Sequence, residues 1–454
     1  MSNPLDKLEA LLHQHPHIQY ASPLSSGYAE LREAYILGTE AKPLTIIRPQ
    51  NAEDVALLVS YAVAERIPLT VRGGGHDLFG RCFATGAIAI DMRDIRSVHI
   101  TADKKTATIG GGILATDLAG ELGRHKLATA VGSAPTVGWV GWATHGGYGP
   151  FAANYGLGLD QILGATLVNS KGEIVEADEL MLATIRGGGG SIGVIIDVTI
   201  KVYPLSKILG GVIVFKADDL GATLSKFTEG YQQLAVPDLP DALGIQQSFV
   251  NTPSGKMFTA VFVWSSDDLD LGYVWLDKIK SLGTVIHNSV VPTTIQAWLN
   301  DSGKFVPKTA YGGNCTVSVR SFTDEVVAVV AEHIAKMPTD SATLFSAHQL
   351  RGTSATPRAD SVFGARTPHY VFEFIATSST TEQTQASWAW ATAFRDAVRQ
   401  TRADNVCSFT YISLTPPSDA NYASIYGPSW ERLVKIKNQY DPDNVFRYSM
   451  PQFS

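Results

Sequence analysis

Residues 71–82 read VRGGGHDLFGRC, three glycines running straight into His76 and Asp77. Glycine lacks the Cβ that keeps a backbone at a distance and accepts positive φ. Gly73, Gly74 and Gly75 therefore let the main chain approach another body closely and deliver an imidazole at that point. Three more glycine-dense stretches follow, at 132–138, 141–149 and 187–193. Four of them in one half of the chain suit a single large, flat, anionic ligand, because backbone N–H groups in such loops bind phosphate oxygens without net positive charge. Arg72 would add a fixed cation there or pair with an acid, and the sequence admits both. The formal net charge of −7 fits local anion binding of this kind. With no lysine or arginine cluster, it argues against a nucleic-acid-binding surface.

Glycine spacing alone admits other chemistries. Gly188, Gly190 and Gly193 match the dinucleotide fingerprint, but that motif opens a helix, and here the strand-like VIIDVTI follows. Gly189-x-Ser191-x-Gly193 has the spacing of a nucleophile elbow, with His287, His333, His348 and His369 downstream as potential bases. A serine hydrolase on Ser191 is thus the alternative from another class, although the elbow also needs a helix behind it. Neither Gly255-Lys256 nor Gly303-Lys304 leads into Ser or Thr, so no phosphate-cradling P-loop is present. Cys82, Cys315 and Cys407 are odd in number and far apart, which reads as buried thiols with no disulfide framework and no metal site.

The elements that must position these residues fall into three stretches. Residues 1–205 mix strands and helices. Thr45-Ile-Ile47, the helical AEDVALLVSYAVAERI and Pro68-Leu-Thr-Val71 form a β-α-β unit with the glycines at its exit. Strands at 87–91 and 106–109, a helix from about 114 to 122, a compact loop over 141–158, a hairpin over 165–176 and a strand from 194 follow. From 206 to 405 glycine falls away and KMFTAVFVW, HYVFEFIAT, DEVVAVVAEHIAKM and ASWAWATAFRDAVRQT predict a sheet with helices on one face. Residues 406–454 carry a final helix that ends at Asp-Pro. No run approaches the roughly 18 apolar residues of a membrane span, and the N-terminus has no secretory pattern, so a cytoplasmic protein without membrane attachment is expected.

Taken together, Arg72-Gly-Gly-Gly-His76, Gly132-Ser-Ala-Pro-Thr-Val-Gly138, Gly141-x-x-x-His145-Gly-Gly-Tyr-Gly149, Tyr155-Gly-Leu-x-x-Asp160, Arg186-Gly-Gly-Gly-Gly190 and the tail Arg432-Leu433…Tyr440-Asp-Pro442-x-Asn-Val-Phe446 closely resemble the FAD-linked oxidases of the vanillyl-alcohol-oxidase and berberine-bridge-enzyme-like superfamily. The resemblance implies an α+β fold: a two-subdomain FAD-binding domain of the PCMH type, plus a substrate domain with a mainly antiparallel sheet covered by helices. The tail would return to the FAD domain.

It also implies FAD joined covalently through His76 to the flavin 8α-methyl. Arg72, Gly73, Gly74, Gly75, Asp77, Ser133, Pro135, Thr136, Gly138, Gly141, Gly146, Gly193, Val194, Ile195 and Ser429 would be the other residues about the cofactor. Some relatives carry a second, cysteinyl bond; Ala134 stands at that place here and has no nucleophile, so one covalent link is expected. Hydride removal from a small or medium alcohol, phenol or amine, with O2 as electron acceptor and H2O2 as product, is the implied activity. A flavin-driven oxidative cyclase is the variant reading. Tyr411, Tyr426 and His145 are the candidate catalytic residues, with His287, His348 and His369 behind them. Two departures from the family pattern are Gly427-Pro-Ser429-Trp430, where relatives commonly have asparagine, and the ending RYSMPQF.

Overall fold

Strands Thr45–Arg48 and Leu69–Arg72 both pair in parallel with Ile88–Asp91, and Gln19–Ala21 adds to the far edge antiparallel. Helix Ala52–Glu65 makes the crossover between the two parallel partners. Asn51 caps its start by accepting from the Asp54 amide, and Arg66 ends it in the left-handed conformation. Its Val55, Leu58, Val59 and Ala62 recur at helical spacing and are buried. The Gly73–Gly75 loop leaves this sheet where Arg72 stands in register with Asp91. The computed structural model describes residues 4–235 and 239–453; the remaining ends of the 1–205 and 406–454 stretches lie outside the described residues.

A second, antiparallel sheet orders Val98–Ile100, Thr106–Gly110, Val194–Lys201, Ile162–Val168 and Ile174–Glu176. The hairpin expected over 165–176 is there, with Thr166 opposite Glu176. Residues 141–158 hold more regular structure than expected: a helix at Trp139–Thr144, another at Ala152–Tyr155 and a 3-10 turn at Gly158–Gln161. Each is too short to develop a readable period. Helix Glu179–Gly188 was also not visible, because its last turn runs into RGGGG. Its backbone departs from helical values at Arg186 and Gly187.

The third and largest sheet is antiparallel throughout, with eight strands. Val285–Asn288, Ile208–Phe215, Gly255–Trp264, Leu243–Thr252, Thr343–Leu350, His369–Ala376 and Asn314–Val319 follow one another, and Val291–Thr293 also pairs with Ile208–Phe215. Helices Leu220–Leu234, Leu269–Lys280, Asp324–Ala335 and Thr381–Arg399 share one apolar cluster with alternate residues of these strands. Phe249, Phe258, Phe345, Phe372, Phe374 and Phe394 are at its centre. A strand turns successive side chains to opposite faces, so the intervening residues of the same strands point away from the helices.

Stretches far apart in the chain share apolar clusters. Trp298 and Leu299 of helix Ile295–Ser302 join the cluster formed by helix Ala115–Arg124 and the second sheet. Phe446 joins Val194, Ile196 and the first sheet's residues. The C-terminal helix Ser429–Tyr440 lies against Glu179–Gly188, where a Cβ on Gly188 would come within 3.1 Å of Leu433 Cδ1. Its Lys437 ammonium, almost wholly buried, donates to the Ser191 carbonyl and to Asp441. Among the described residues no helix is long and apolar enough to cross a membrane. The three cysteines are buried and free.

Candidate active site

A cavity of about 510 Å3 opens between the first two sheets and the helix-free face of the third. Three glycine loops meet on one side of it. Gly74 and Gly138 pass so closely that a Cβ on Gly74 would lie 2.3 Å from the Gly138 amide nitrogen, so these loops can only cross where both residues are glycine. Gly73 and Gly141 line the cavity, and a Cβ on either would meet nothing closer than 3.9 Å, leaving its volume open. The amides of Gly74, Gly75 and His76 make no backbone hydrogen bond among the described residues, which leaves three donors on one short loop.

His76 stands at the end of that loop and in the cavity wall. Its Nε2 lies 2.6 Å from Thr136 Oγ1, and its ring stacks on Tyr35 at 4.6 Å between centroids and 17° between planes. Burial, reinforced by the Arg72 charge, pulls the imidazole down to about 4, so it is neutral at ordinary pH. Burial pushes the Tyr35 phenol up to about 12, with the Glu373 charge adding to the rise.

The opposite chemistry comes from the large sheet. In His369–Ala376, Tyr370, Phe372 and Phe374 enter the helix-covered core, whereas Val371, Glu373 and Ile375 line the cavity. The neighbouring strands contribute Gln246 and His348 by the same alternation. Glu373 accepts from Asn314 Nδ2 at 2.8 Å through one carboxylate oxygen, and its other oxygen lies 3.1 Å from His348 Nε2. Gln246 binds Ser346 and accepts from Ser133 of the second glycine loop.

Of the residues anticipated from sequence, His76, Gly73, Gly74, Gly75, Asp77, Ser133, Gly138, Gly141, Gly193, Val194, Ile195, His145 and Tyr411 line this cavity. Six others sit behind or beyond it. Arg72 is buried under its own loop, donating to the Leu31 carbonyl and 4.0 Å from Asp91, which Arg93 holds more closely. Thr136 reaches the site only through His76. Pro135 packs on Gly303, and Gly146 is pressed against the Tyr411 ring. Ser429 opens the C-terminal helix away from the cavity wall.

Tyr426 needs the firmest correction: it is buried in a separate apolar cluster, its hydroxyl donating to the Gly187 carbonyl. His145 is in the wall, but both its nitrogens face carbonyls, Gly141 at 2.9 Å and Met450 at 3.2 Å, which commits the ring to joining the tail to the glycine loop. Tyr411 accepts from the Gly147 amide, and burial raises its pKa, so it stays a phenol. His287 lies on an edge strand outside the cavity, and His369 is buried against Tyr148.

Ser191 is fully buried, its hydroxyl hydrogen-bonds to nothing among the described residues, and strand Val194–Lys201 follows it. That geometry assembles no serine triad.

Glu373 was missed by sequence reasoning, as were Tyr35 and Gln246. An acid inside HYVFEFIA reads as the solvent face of an alternating strand, and only the packing of that face over the glycine loops turns it inward.

Comparison with known proteins agrees with this geometry. Residues 43–178 match the family described as FAD binding domain, and residues 419–451 match the family described as berberine and berberine like. FAD-linked oxidoreductase aurO of Gibberella zeae is 34% identical over 437 residues, covering 95% of this chain and 85% of its own. The crystal structure of 6-hydroxy-D-nicotine oxidase from Arthrobacter nicotinovorans superposes with a TM-score of 0.83 at 24% identity, covering 95% and 96% of the two chains. Glucooligosaccharide oxidase of Acremonium strictum, studied for its 6-S-cysteinyl, 8α-N1-histidyl FAD, gives a TM-score of 0.82 at 18% identity and 98% coverage of both chains.

Proposed function

The chain belongs to the FAD-linked oxidoreductases of the berberine-bridge-enzyme-like family, and on that premise we propose that it is an oxidase carrying FAD on His76 and acting on a small or medium, largely apolar alcohol, phenol or amine. Three features support the cofactor's fit to this cavity: glycines keep its volume clear, the amides of Gly74, Gly75 and His76, unpaired among the described residues, suit an anionic pyrophosphate, and a neutral imidazole stands in its wall. A bound FAD would supply the hydride acceptor for substrate oxidation and a route for the electron pair to O2 as H2O2.

The observation that carries the reading is the Glu373 carboxylate in the same cavity as His76. A C–H bond gives up hydride readily when the adjacent O–H or N–H proton is taken away, and a carboxylate held by Asn314 and His348 is the group suited to take it. Tyr411, a protonated phenol beside it, orients substrate oxygen or nitrogen by hydrogen bonding. Val306, Val371, Ile375 and Leu414 supply the apolar wall that excludes water and favours an apolar substrate. A single histidyl link is consistent with Ala134, which offers no second nucleophile.

The test is an anaerobic panel of aryl alcohols, alkyl phenols and cyclic amines followed at the flavin absorbance. Bleaching by at least one member, then recovery of colour with stoichiometric H2O2 on admitting air, is expected. Bleaching that persists in air would remove the oxidase assignment.

A further inference from the structure

Two residues grip the His76 imidazole, and neither belongs to the glycine loop. Thr136 Oγ1 is 2.6 Å from Nε2, and the Tyr35 ring lies nearly parallel against the imidazole. Tyr35 is itself fixed by main-chain bonds, its amide donating to the Gly75 carbonyl and its carbonyl accepting from Ala310. No partner occupies Nδ1 among the described residues. A neutral imidazole has one N–H and one lone pair, and the partner of one nitrogen decides which nitrogen keeps the lone pair.

We propose that Thr136 and Tyr35 are the positioning residues for covalent attachment of the cofactor. Thr136 accepts the Nε2–H proton and so leaves the lone pair on Nδ1, while Tyr35 holds the ring plane. The inference rests on the reading of His76 as the linked residue. The low imidazole pKa supports it, since a protonated ring would have no lone pair to offer.

The step balances with dioxygen as the oxidant. A bond forms between Nδ1 and the 8α-carbon of FAD. One hydrogen leaves that methyl group, and the Nε2 proton leaves the imidazole through the Thr136 hydroxyl. The two electrons released reduce the ring system, and O2 takes them with two protons as H2O2, restoring the oxidised form.

Thr136 is exposed on its loop, so replacing it leaves the core untouched. The protein and its variants are made in riboflavin-deprived cells, incubated with FAD in air, and followed by intact mass for covalent flavin and by acid release for non-covalent flavin. Thr136→Val is expected to slow covalent incorporation at least tenfold while still binding acid-releasable FAD. Thr136→Ser, which restores the hydroxyl, is expected to recover the wild-type rate. Tyr35→Phe should keep the rate, and Tyr35→Leu should lose it.

Wild-type incorporation by Thr136→Val overturns the proposal, as does a Thr136→Val protein that binds no FAD at all, because the residue would then serve binding alone. A Thr136→Ser protein as slow as Thr136→Val overturns it too. Should the wild-type protein itself gain no covalent mass, the reading of His76 fails and takes this one with it.

Discussion

Three titratable groups of the cavity differ in what they can do with a proton. Tyr411 is held as a phenol, the His145 ring is set between two carbonyls, and Glu373 presents a carboxylate beside the apolar wall, the other cavity carboxylate, Asp77, being paired with Arg81. Glu373→Gln keeps the size and the Asn314 contact but removes the base. With the best substrate of the panel, stopped-flow should show flavin reduction slowed about 10²–10⁴-fold at unchanged FAD content. Tyr411→Phe removes one hydrogen bond and should cost about tenfold or less. Equal losses in the two variants would contradict the division of roles. The reach of the sequence is clearest here. His76 stood out because the glycines before it and the distant motifs match one family pattern together, and the structure places it in the cavity wall. Tyr426 misled, because nothing local distinguishes a buried tyrosine that satisfies a carbonyl from one that faces a ligand.

Elements explain why the rest of the site was harder to read. The β-α-β unit and the helices over the large sheet announced themselves by period. Which strand face would meet the glycine loops depended on how separate sheets pack, information spread over residues 73, 138, 246 and 373 with no local trace. Two predictions belong at this level. Gly74→Ala would force the crossing loops apart, since backbone atoms of Gly138 and Thr136 stand within 3 Å of the new Cβ; purified protein should lose most of its bound flavin.

The second concerns His369, which begins the strand that carries Glu373. Burial pulls its pKa down to about 4. Its unfolded-state value is higher, so the unfolded chain binds the proton first on acidification. Stability is therefore complete above about pH 6.5 and falls as pH drops toward 4, by on the order of 3 kcal/mol for this group. His369→Gln should flatten the acid decline of the thermal midpoint between pH 6.5 and 4. An unchanged slope would show that the imidazole titrates normally.

Across the whole molecule, the tail closes what the first residues begin. Lys437 and Asp441 are both almost wholly buried, and the ammonium also meets the carbonyl of Ser191. Breaking one side of a buried pair leaves an uncompensated charge, so Asp441→Ala should cost about 3–5 kcal/mol and lower the thermal midpoint by several degrees. Lys437→Met/Asp441→Leu together should recover much of that loss. A double variant no better than the single one would mean that the tail is held mainly by Leu433 and Phe446.

Above all these stands the assignment of His76 as the residue that carries FAD, and peptide mapping of acid-precipitated protein tests it most directly. The account predicts that the proteolytic fragment containing His76 bears the mass of FAD, or of the FMN left when its pyrophosphate is cleaved, and fluoresces. A bare His76 fragment, with all flavin released into the acid supernatant, would contradict it.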